Sequence, residues 1–90
     1  MEITDSNRKN KRFLATFANG EKIHFGQLGA NTFIDSGDEK KRSAYLARHG
    51  AGREDWKTPY NAGSLSRWIL WGPTAKLSAN ISFFKNKFRV

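Results

Sequence analysis

The chain has 90 residues, with 16 Lys and Arg against eight Asp and Glu, so its formal net charge is +8. It contains no cysteine, which excludes a disulfide framework and a thiolate metal site and fits a reducing compartment. No apolar run approaches the ~20 residues of a membrane span, and we expect no signal peptide in the polar first residues.

The first residues of the chain carry few apolar side chains. Residues 1–11 are therefore predicted to form a flexible basic arm, and residues 12–90 a single small domain. The end of the arm is basic because Arg8, Lys9 and Lys11 lie there. A basic arm can bind phosphate groups, whereas a solvated tail without a partner fits the same composition.

A β-hairpin is predicted between residues 11 and 25, where two apolar runs flank Asn19-Gly20. That dipeptide is typical of a two-residue type I′ turn, in which both residues have positive φ. With this loop, strand alternation predicts a core face that is formed by Leu14, Thr16, Ile23 and Phe25. The opposite face would hold Phe13, Ala15, Phe17, Lys22 and His24.

The second face of this hairpin mixes aromatic and basic side chains. Such a surface resembles the sheets that stack unpaired bases, and the alternative is a sheet covered on both sides. Because an isolated hairpin is only marginally stable, a third strand would help, and its predicted position is Thr32-Phe33-Ile34.

A helix is predicted over residues 37–49. Ser36 and Glu39 have the spacing of a capping box, and Gly50 suits the position just after a helix. The core side of this helix would consist of Tyr45 and Leu46. His49 is interpreted as structural, because a helix dipole favours a cation at the C-terminal end. The connector that follows contains Trp56, which we expect to dock on the core, the alternative being an exposed tryptophan that stacks on a ligand.

The segment from residue 60 to residue 74 is the predicted hub of the fold. Asn61 is a good N-cap, and the helix it opens would bury Leu65, Trp68 and Ile69 on one face. The guanidinium of Arg67 could lie over the indole of Trp71, four residues on. Gly72-Pro73 would end this helix.

The last helix is predicted to begin at Pro73 or Thr74, and the sequence leaves both open. Its core stripe is formed by Leu77, Ile81, Phe84 and Phe88. A second row consists of Lys76, Asn80, Phe83 and Lys87. An exposed Phe83 beside two lysines would suit a partner surface, whereas a Phe83 packed under a loop would be structural.

The elements together predict an α+β fold, in which an N-terminal antiparallel hairpin, or a three-stranded sheet, is followed by three short helices packed on it. Large aromatic side chains would compensate for the small core of so short a chain. The predicted core consists of Leu14, Ile23, Phe25, Tyr45, Leu46, Leu65, Trp68, Ile69, Leu77, Ile81, Phe84 and Phe88.

No motif of a known chemistry is present. The sequence lacks a phosphate-binding P-loop, an HExxH zinc motif and a dinucleotide fingerprint. Two histidines without cysteine or clustered carboxylates do not indicate a zinc or two-metal site. We therefore expect that the protein is not an enzyme and that it has no catalytic residue, no cofactor and no metal site.

Three stretches carry a resemblance to a family. They are Ala44-Tyr45-Leu46-Ala47-Arg48-His49, then Arg53-Glu54-Asp55-Trp56, then the run from Ala62 to Trp71. The pattern resembles that of small uncharacterised proteins and domains of large DNA viruses of algae and protists, over most of residues 12–88. The resemblance implies a viral protein that acts inside an infected cell or is packaged in a virion. It implies no activity.

The charge distribution favours an anionic partner, because residues 58–90 contain no Asp or Glu. The first hypothesis is non-specific nucleic-acid binding through backbone phosphates. The alternative is a virion or scaffold module that binds an acidic protein. The candidate contact residues are Lys40, Lys41, Arg48, Arg53, Arg67, Lys76, Lys85, Lys87 and Arg89.

Overall fold

A computed structural model of the chain describes residues 1–50 and 52–90. It shows an α+β fold in which an antiparallel sheet is followed by short helices. The sheet has three strands in the order β1-β2-β3, namely β1 (Glu2–Asp5), β2 (Lys11–Thr16) and β3 (Lys22–Gln27). The predicted fold class is confirmed.

The third strand of the sheet precedes the hairpin in the sequence, whereas its predicted position follows the hairpin. Residues Glu2–Asp5, in the segment predicted to be a flexible arm, pair with β2 along the edge of the sheet. The alternation that exposes Glu2 and Thr4 turns Ile3 toward the core, where it packs. A strand with only one apolar residue gives a weak sequence signal, so the composition of this segment predicts an arm instead. The boundary of the domain at residue 12 stays a prediction.

The predicted third strand is instead a short helix, α1 (Phe33–Ser36). The carboxylate of Asp35 accepts hydrogen bonds from the backbone N–H and the hydroxyl of Thr32, which fixes the first turn. Gly37 ends the helix in the left-handed conformation, with its N–H bonded to the carbonyl of Phe33. These local bonds override the strand propensity of the apolar run.

The predicted register of the hairpin is wrong by one residue. Phe17 rather than Ala18 pairs with Glu21, so the loop has three residues and only Gly20 among them has a positive φ. It is not a type I′ turn, which needs a positive φ at two residues; a three-residue loop with one positive-φ glycine at its end is the next most common hairpin connection. The shift reverses the faces of β2, because neighbouring side chains in a strand point to opposite sides.

The reversed faces exclude the base-stacking sheet surface considered above. The core face of the hairpin is formed by Phe13, Ala15, Phe17, Ile23 and Phe25, the outer face by Leu14, Thr16, Lys22 and His24. The aromatic rings of β2 are therefore buried rather than available to a ligand. Leu14, predicted for the core, lies half-buried on the outer face.

The remaining helices are α2 (Glu39–Gly50), α3 (Ala62–Leu65) and α4 (Leu77–Phe88), and a π-helical turn (Ser66–Leu70) continues α3. The predicted cap of α2 is displaced: Asp38, not Ser36, accepts the free N–H groups of the first turn. Gly50 closes α2 rather than following it. The predicted cap of α3 is present, since Asn61 accepts from the N–H of Ser64 at 2.7 Å. The last helix begins at Leu77, later than predicted.

The core lies between the sheet and the segment from α3 to α4. Its fully packed members are Phe13, Ala15, Phe17, Phe25, Leu65, Ile69, Leu70 and Phe84. The π turn brings Leu70 inward and leaves Trp68 half-buried at the margin, where the sequence had predicted a core residue. The margin also includes Ile23, Leu77, Ile81 and Phe88. Tyr45 is buried and Leu46 half-buried on α2.

The turn between the π turn and α4 is held by a buried side chain. Asn80 is fully buried, and its amide donates to the carbonyls of Ile69 and Thr74, both at 2.8 Å. Its oxygen accepts from the N–H and the hydroxyl of Thr74. Every hydrogen-bonding group of the amide is therefore used, which satisfies a buried polar side chain and joins the two helices.

Candidate functional site

The nine predicted contact residues are spread over several elements. Lys40 and Lys41 lie in the first turn of α2 and Arg48 in its last, and Arg53 lies in the connector. Lys76 precedes α4, Lys85 and Lys87 lie in its last turn, and Arg89 follows it. All eight are exposed, and only Arg67 is half-buried. The structure brings Arg67 and Lys87 together on one indole, that of Trp68.

Arg67 is packed between aromatic rings rather than directed at solvent. Its guanidinium carbon lies 4.0 Å from the ring centre of Trp68 and 5.2 Å from that of Trp56. One terminal nitrogen donates to the backbone carbonyl of Trp71 at 3.0 Å, in place of the predicted contact with the Trp71 ring. Burial lowers the pKa of Arg67, and the charge of Arg42 lowers it further. Arg67 therefore joins the connector to the π turn.

Arg42 adds a second guanidinium at the end of the π turn. Its Nε donates to the carbonyl of Gly72 at 2.9 Å and lies 3.3 Å from the carbonyl of Trp71. The last carbonyls of a helical segment have no partner within the segment, so two cations stabilise this end. This contact connects α2 to the hub, and it was not predicted because the two residues are 30 positions apart.

An exposed aromatic and basic patch lies beside Arg67. We define the Trp68 surface as Trp68, Phe83 and Lys87. The rings of Trp68 and Phe83 are 5.8 Å apart, and the ammonium of Lys87 lies 4.6 Å from the Trp68 ring centre. Phe83 is 38% exposed, so the hypothesis of an exposed Phe83 agrees with its position. Trp68 itself is held by a hydrogen bond from its Nε1 to the carbonyl of Trp56.

A second feature is a cleft between α2, α3 and the end of β3. We define the aromatic cleft by its three stacked rings, Trp71, Tyr45 and His49. The ring centres of Trp71 and Tyr45 are 4.4 Å apart and nearly parallel, and those of Tyr45 and His49 are 4.3 Å apart. The cleft has a volume of ≈ 420 Å³, and Lys11 and Arg48 contribute to its walls.

Glu54 orders one side of the aromatic cleft. Its carboxylate is bonded to Nδ1 of His49 at 3.1 Å and accepts from Nε1 of Trp56 at 3.0 Å. The indole of Trp56 packs against Gly50, where a Cβ atom would lie 3.0 Å from the ring. Burial raises the pKa of Tyr45, and the charge of Glu54 raises it further. Glu54 thus fixes the connector to the end of α2, a role that the sequence did not predict.

The loop between β1 and β2 forms a third basic region. Arg8, Lys9 and Lys11 line a shallow cleft of ≈ 640 Å³ together with Leu28, which is 64% exposed. Partial burial and the charges of Arg8 and Lys11 lower the pKa of His24. Arg12 also lines this cleft, but its guanidinium is held in a bidentate pair with Asp35, both bonds being 2.8 Å long.

The part of the chain that the structure describes holds few acidic partners for its cations. Within residues 1–50 and 52–90, Arg12 and Asp35 form an ion pair, and the ring of His49 is hydrogen-bonded to the carboxylate of Glu54. Over the same residues, no three His, Asp or Glu side chains are grouped as metal ligands would be. None of the helices described there has the length and apolar character needed to cross a membrane.

Comparisons with known proteins connect the chain to viral sequences. Residues 1–49 match the Family of unknown function (DUF5754). The chain is 35% identical over 80 residues to "Uncharacterized protein L851" of Acanthamoeba polyphaga mimivirus, which covers 79% of this chain and 80% of the relative. No solved structure matches. The mimivirus relative suggests a viral origin, and the two matches together show that the chain belongs to the DUF5754 family, a family with members in large DNA viruses.

Proposed function

We propose that this protein binds single-stranded nucleic acid with little sequence preference, through the Trp68 surface and the cations of α4. The observation that carries the proposal is the exposed ring of Phe83, which contacts Trp68 beside the ammonium of Lys87. The role is binding, without a chemical reaction. Infected cells and virions of a large DNA virus are the places where we expect it.

The charge of α4 supports an anionic partner. Lys76, Lys85, Lys87 and Arg89 are all exposed, and residues 58–90 contain no carboxylate side chain that could neutralise them. Phosphate groups that approach such a surface release condensed counterions, which favours binding at low salt. The same term carries no sequence information, so we expect little preference among sequences.

The aromatic ring supports a single strand over a duplex. Bases of a single strand are free to stack on aromatic side chains, whereas bases of a duplex already stack on each other. Phe83 and Lys87 are one helical turn apart on α4, so a base on the ring would bring its phosphate near the ammonium. A surface that uses charge alone would not need the ring.

The proposal is tested by fluorescence anisotropy with a labelled single-stranded oligonucleotide. We expect micromolar affinity near 50 mM salt and a steep loss toward 200 mM. Phe83→Ala should cost about 1–3 kcal/mol of binding free energy, the usual contribution of a stacked base. Leu28→Ala is the matched control, because Leu28 is also exposed and apolar but lies by the β1–β2 loop.

The contribution of charge is tested with two double variants of equal charge. Lys85→Gln with Lys87→Gln should weaken binding and reduce the salt dependence, whereas Lys22→Gln with Lys57→Gln should change both less. Heparin is the second ligand, since it is a polyanion without bases. Equal loss in the two double variants, or equal effects of Phe83→Ala on heparin and nucleic acid, would refute the proposal. The alternative of an acidic protein partner would then be favoured.

A further inference from the structure

The stack of three rings in the aromatic cleft ends in an open aromatic face. Tyr45 lies in the middle, is 7% exposed and has a ring on each side. His49 lies at one end, and 39% of its side chain is exposed. Among the described residues, no aromatic or cationic group other than Tyr45 lies against the His49 ring. A planar ligand could therefore extend the stack.

Two cations of the same cleft lack a carboxylate partner among the described residues. Lys11 enters from the start of β2 and Arg48 from the last turn of α2, and neither takes part in an ion pair there. The carboxylate in the cleft, Glu54, is already bonded to His49 and Trp56. A ligand with negative charge would therefore meet two free cations, and the planar guanidinium of Arg48 can bind a phosphate with two hydrogen bonds.

The walls of the cleft leave room for such a ligand. Small residues form part of the lining, namely Gly26 of β3, Ala30 of the loop that follows it, and Ala62 and Gly63 of α3. A side chain at position 63 would lie 3.3 Å from the Glu54 carboxylate and would crowd the cleft. The volume of ≈ 420 Å³ is within the range of about 300–1,000 Å³ that is typical of small-molecule sites. Gln27 and Ser66 add polar groups that can orient a ligand.

From these observations we propose that the aromatic cleft binds a nucleoside monophosphate group, with the base on the open face of His49 and the phosphate at Lys11 and Arg48. The ring stack alone would take any planar molecule, and the cations alone any anion. The two together select a ligand that is both planar and anionic. The site uses none of Trp68, Phe83 or Lys87, so the inference goes beyond the proposed function and does not depend on it.

The same chemical group has two sources, a free nucleotide and the phosphorylated end of a strand. The experiment is a titration followed by NMR, with AMP, adenosine and ribose 5-phosphate as separate ligands. We expect AMP to shift the signals of Tyr45, His49 and Trp71, and each fragment to bind about tenfold more weakly or worse. A short oligonucleotide with and without a 5′-phosphate tests the second source. Shifts that require the phosphate would assign the cleft to strand ends.

Substitutions distinguish AMP binding in this cleft from the non-specific attraction of an anion to a basic protein. Arg48→Gln should weaken AMP binding about tenfold. Arg53→Gln is the matched control, because Arg53 is an exposed arginine outside the lining of the cleft, and it should leave AMP binding unchanged. His49→Ala should remove the difference between AMP and ribose 5-phosphate. An equal effect of Arg48→Gln and Arg53→Gln would overturn the inference. So would shifts confined to Trp68 and Phe83, or no shift with either AMP or the phosphorylated oligonucleotide.

Discussion

Two turns of this protein contain a glycine for different physical reasons. At Gly20, in the β2–β3 turn, φ is +90°, and a side chain there would meet nothing within 4 Å. Gly72, after the π turn, has no positive φ, but a side chain there would overlap the carbonyl oxygen of Trp68 and lie 2.8 Å from the Asn80 amide. The first glycine is required by the conformation of the backbone, the second by the absence of space.

The bonds that close the two turns differ in the same way. The β2–β3 turn is closed by its own residues, since Gly20 donates to the carbonyl of Phe17, and Asn19 accepts from the N–H of Glu21. The turn after Trp71 is closed by Asn80, a residue of the next helix. In a turn that is closed by its own residues, the strain caused by a substitution stays within the turn. In a turn that is closed by a buried side chain from another helix, a substitution also disturbs the two helical segments that this side chain joins.

The largest effect is expected at Gly72. Replacing it with Ala inserts a methyl group against backbone and a fixed amide, which leaves no flexible neighbour to move. We expect a loss of about 3 kcal/mol or more, at the upper end of the cost of overpacking, from a total of about 5–9 kcal/mol for a domain of this size. Urea unfolding followed by tryptophan fluorescence measures it. A loss below that of Gly20→Val would reverse the comparison.

The next largest effect is expected at Asn80. Asn80→Leu keeps the size of the side chain but leaves the carbonyls of Ile69 and Thr74 and the N–H of Thr74 without their partner. Each buried group left unpaired costs about 1–3 kcal/mol, and partial access of water at Thr74 reduces the sum to about 2–4 kcal/mol. Thr74→Val is the control, because it removes the hydroxyl and keeps the amide contacts to the main chain. Equal losses in the two variants would show that the hydroxyl carries the effect.

A smaller loss is expected for Gly20→Val. The left-handed conformation costs a residue with a side chain about 1–2 kcal/mol, and a β-branched residue resists it most. Gly20→Asn is the control, because asparagine enters this region more readily. Thermal unfolding of the two variants should therefore differ, and identical melting curves would contradict the backbone explanation.

The smallest effect is expected at Asp35, whose side chain makes one local and one remote contact. Asp35 is bonded to Thr32 within its own helix and to Arg12, 23 residues away. The Arg12 guanidinium holds the pKa of Asp35 well below its usual range, so the pair stabilises the fold above the unfolded pKa of about 3.9. Asp35→Asn removes the charge and keeps an acceptor for Thr32. We expect a loss of about 1 kcal/mol at pH 7, because the pair is partly exposed.

That difference should decrease as the pH falls below about 4, because Asp35 of the unfolded chain then takes up a proton, and it is lost as the pH falls through the lowered pKa of Asp35 in the folded protein. Arg12→Gln is the partner variant. A double-mutant cycle should show that the second change adds little to the first. A difference between the original protein and Asp35→Asn that is independent of pH from 7 to 3 would contradict the ion-pair explanation.

The distinction between contacts with sequence neighbours and contacts with distant residues also explains how much of the fold could be predicted. The cap at Asn61 and the apolar stripe of α4 depend on neighbours within a turn or two, and the sequence shows them directly. The register of the hairpin depends on whether the loop has two or three residues, and Asn19-Gly20 fits both. The burial of Asn80 and the packing of Arg67 between Trp56 and Trp68 depend on residues far along the chain, which spacing does not reveal.

The candidate sites follow this pattern too. The exposed Phe83 beside lysines is a property of one helix, and it was one of the two alternatives that the sequence left open for this residue. The aromatic cleft combines residues of the sheet, α2, the connector and α3, so no single stretch contains its pattern. Glu54 was missed because its role depends on His49 and Trp56 together. The signal that the sequence did contain is a glutamate five residues after a histidine and two residues before a tryptophan.

The π turn has a consequence for how relatives of this protein should be aligned. Its hydrogen bond from the N–H of Trp71 to the carbonyl of Ser66 spans five residues, one more than an α-helical turn. The turn is equivalent to a single-residue insertion in a continuous helix. A relative that lacks one residue between positions 66 and 70 could keep an unbroken helix here. In such a chain the guanidinium at position 67 and the indole at position 68 would be rotated by about 100° about the helix axis relative to the residues that follow. A one-residue gap in an alignment would therefore mark loss of the Trp68 surface.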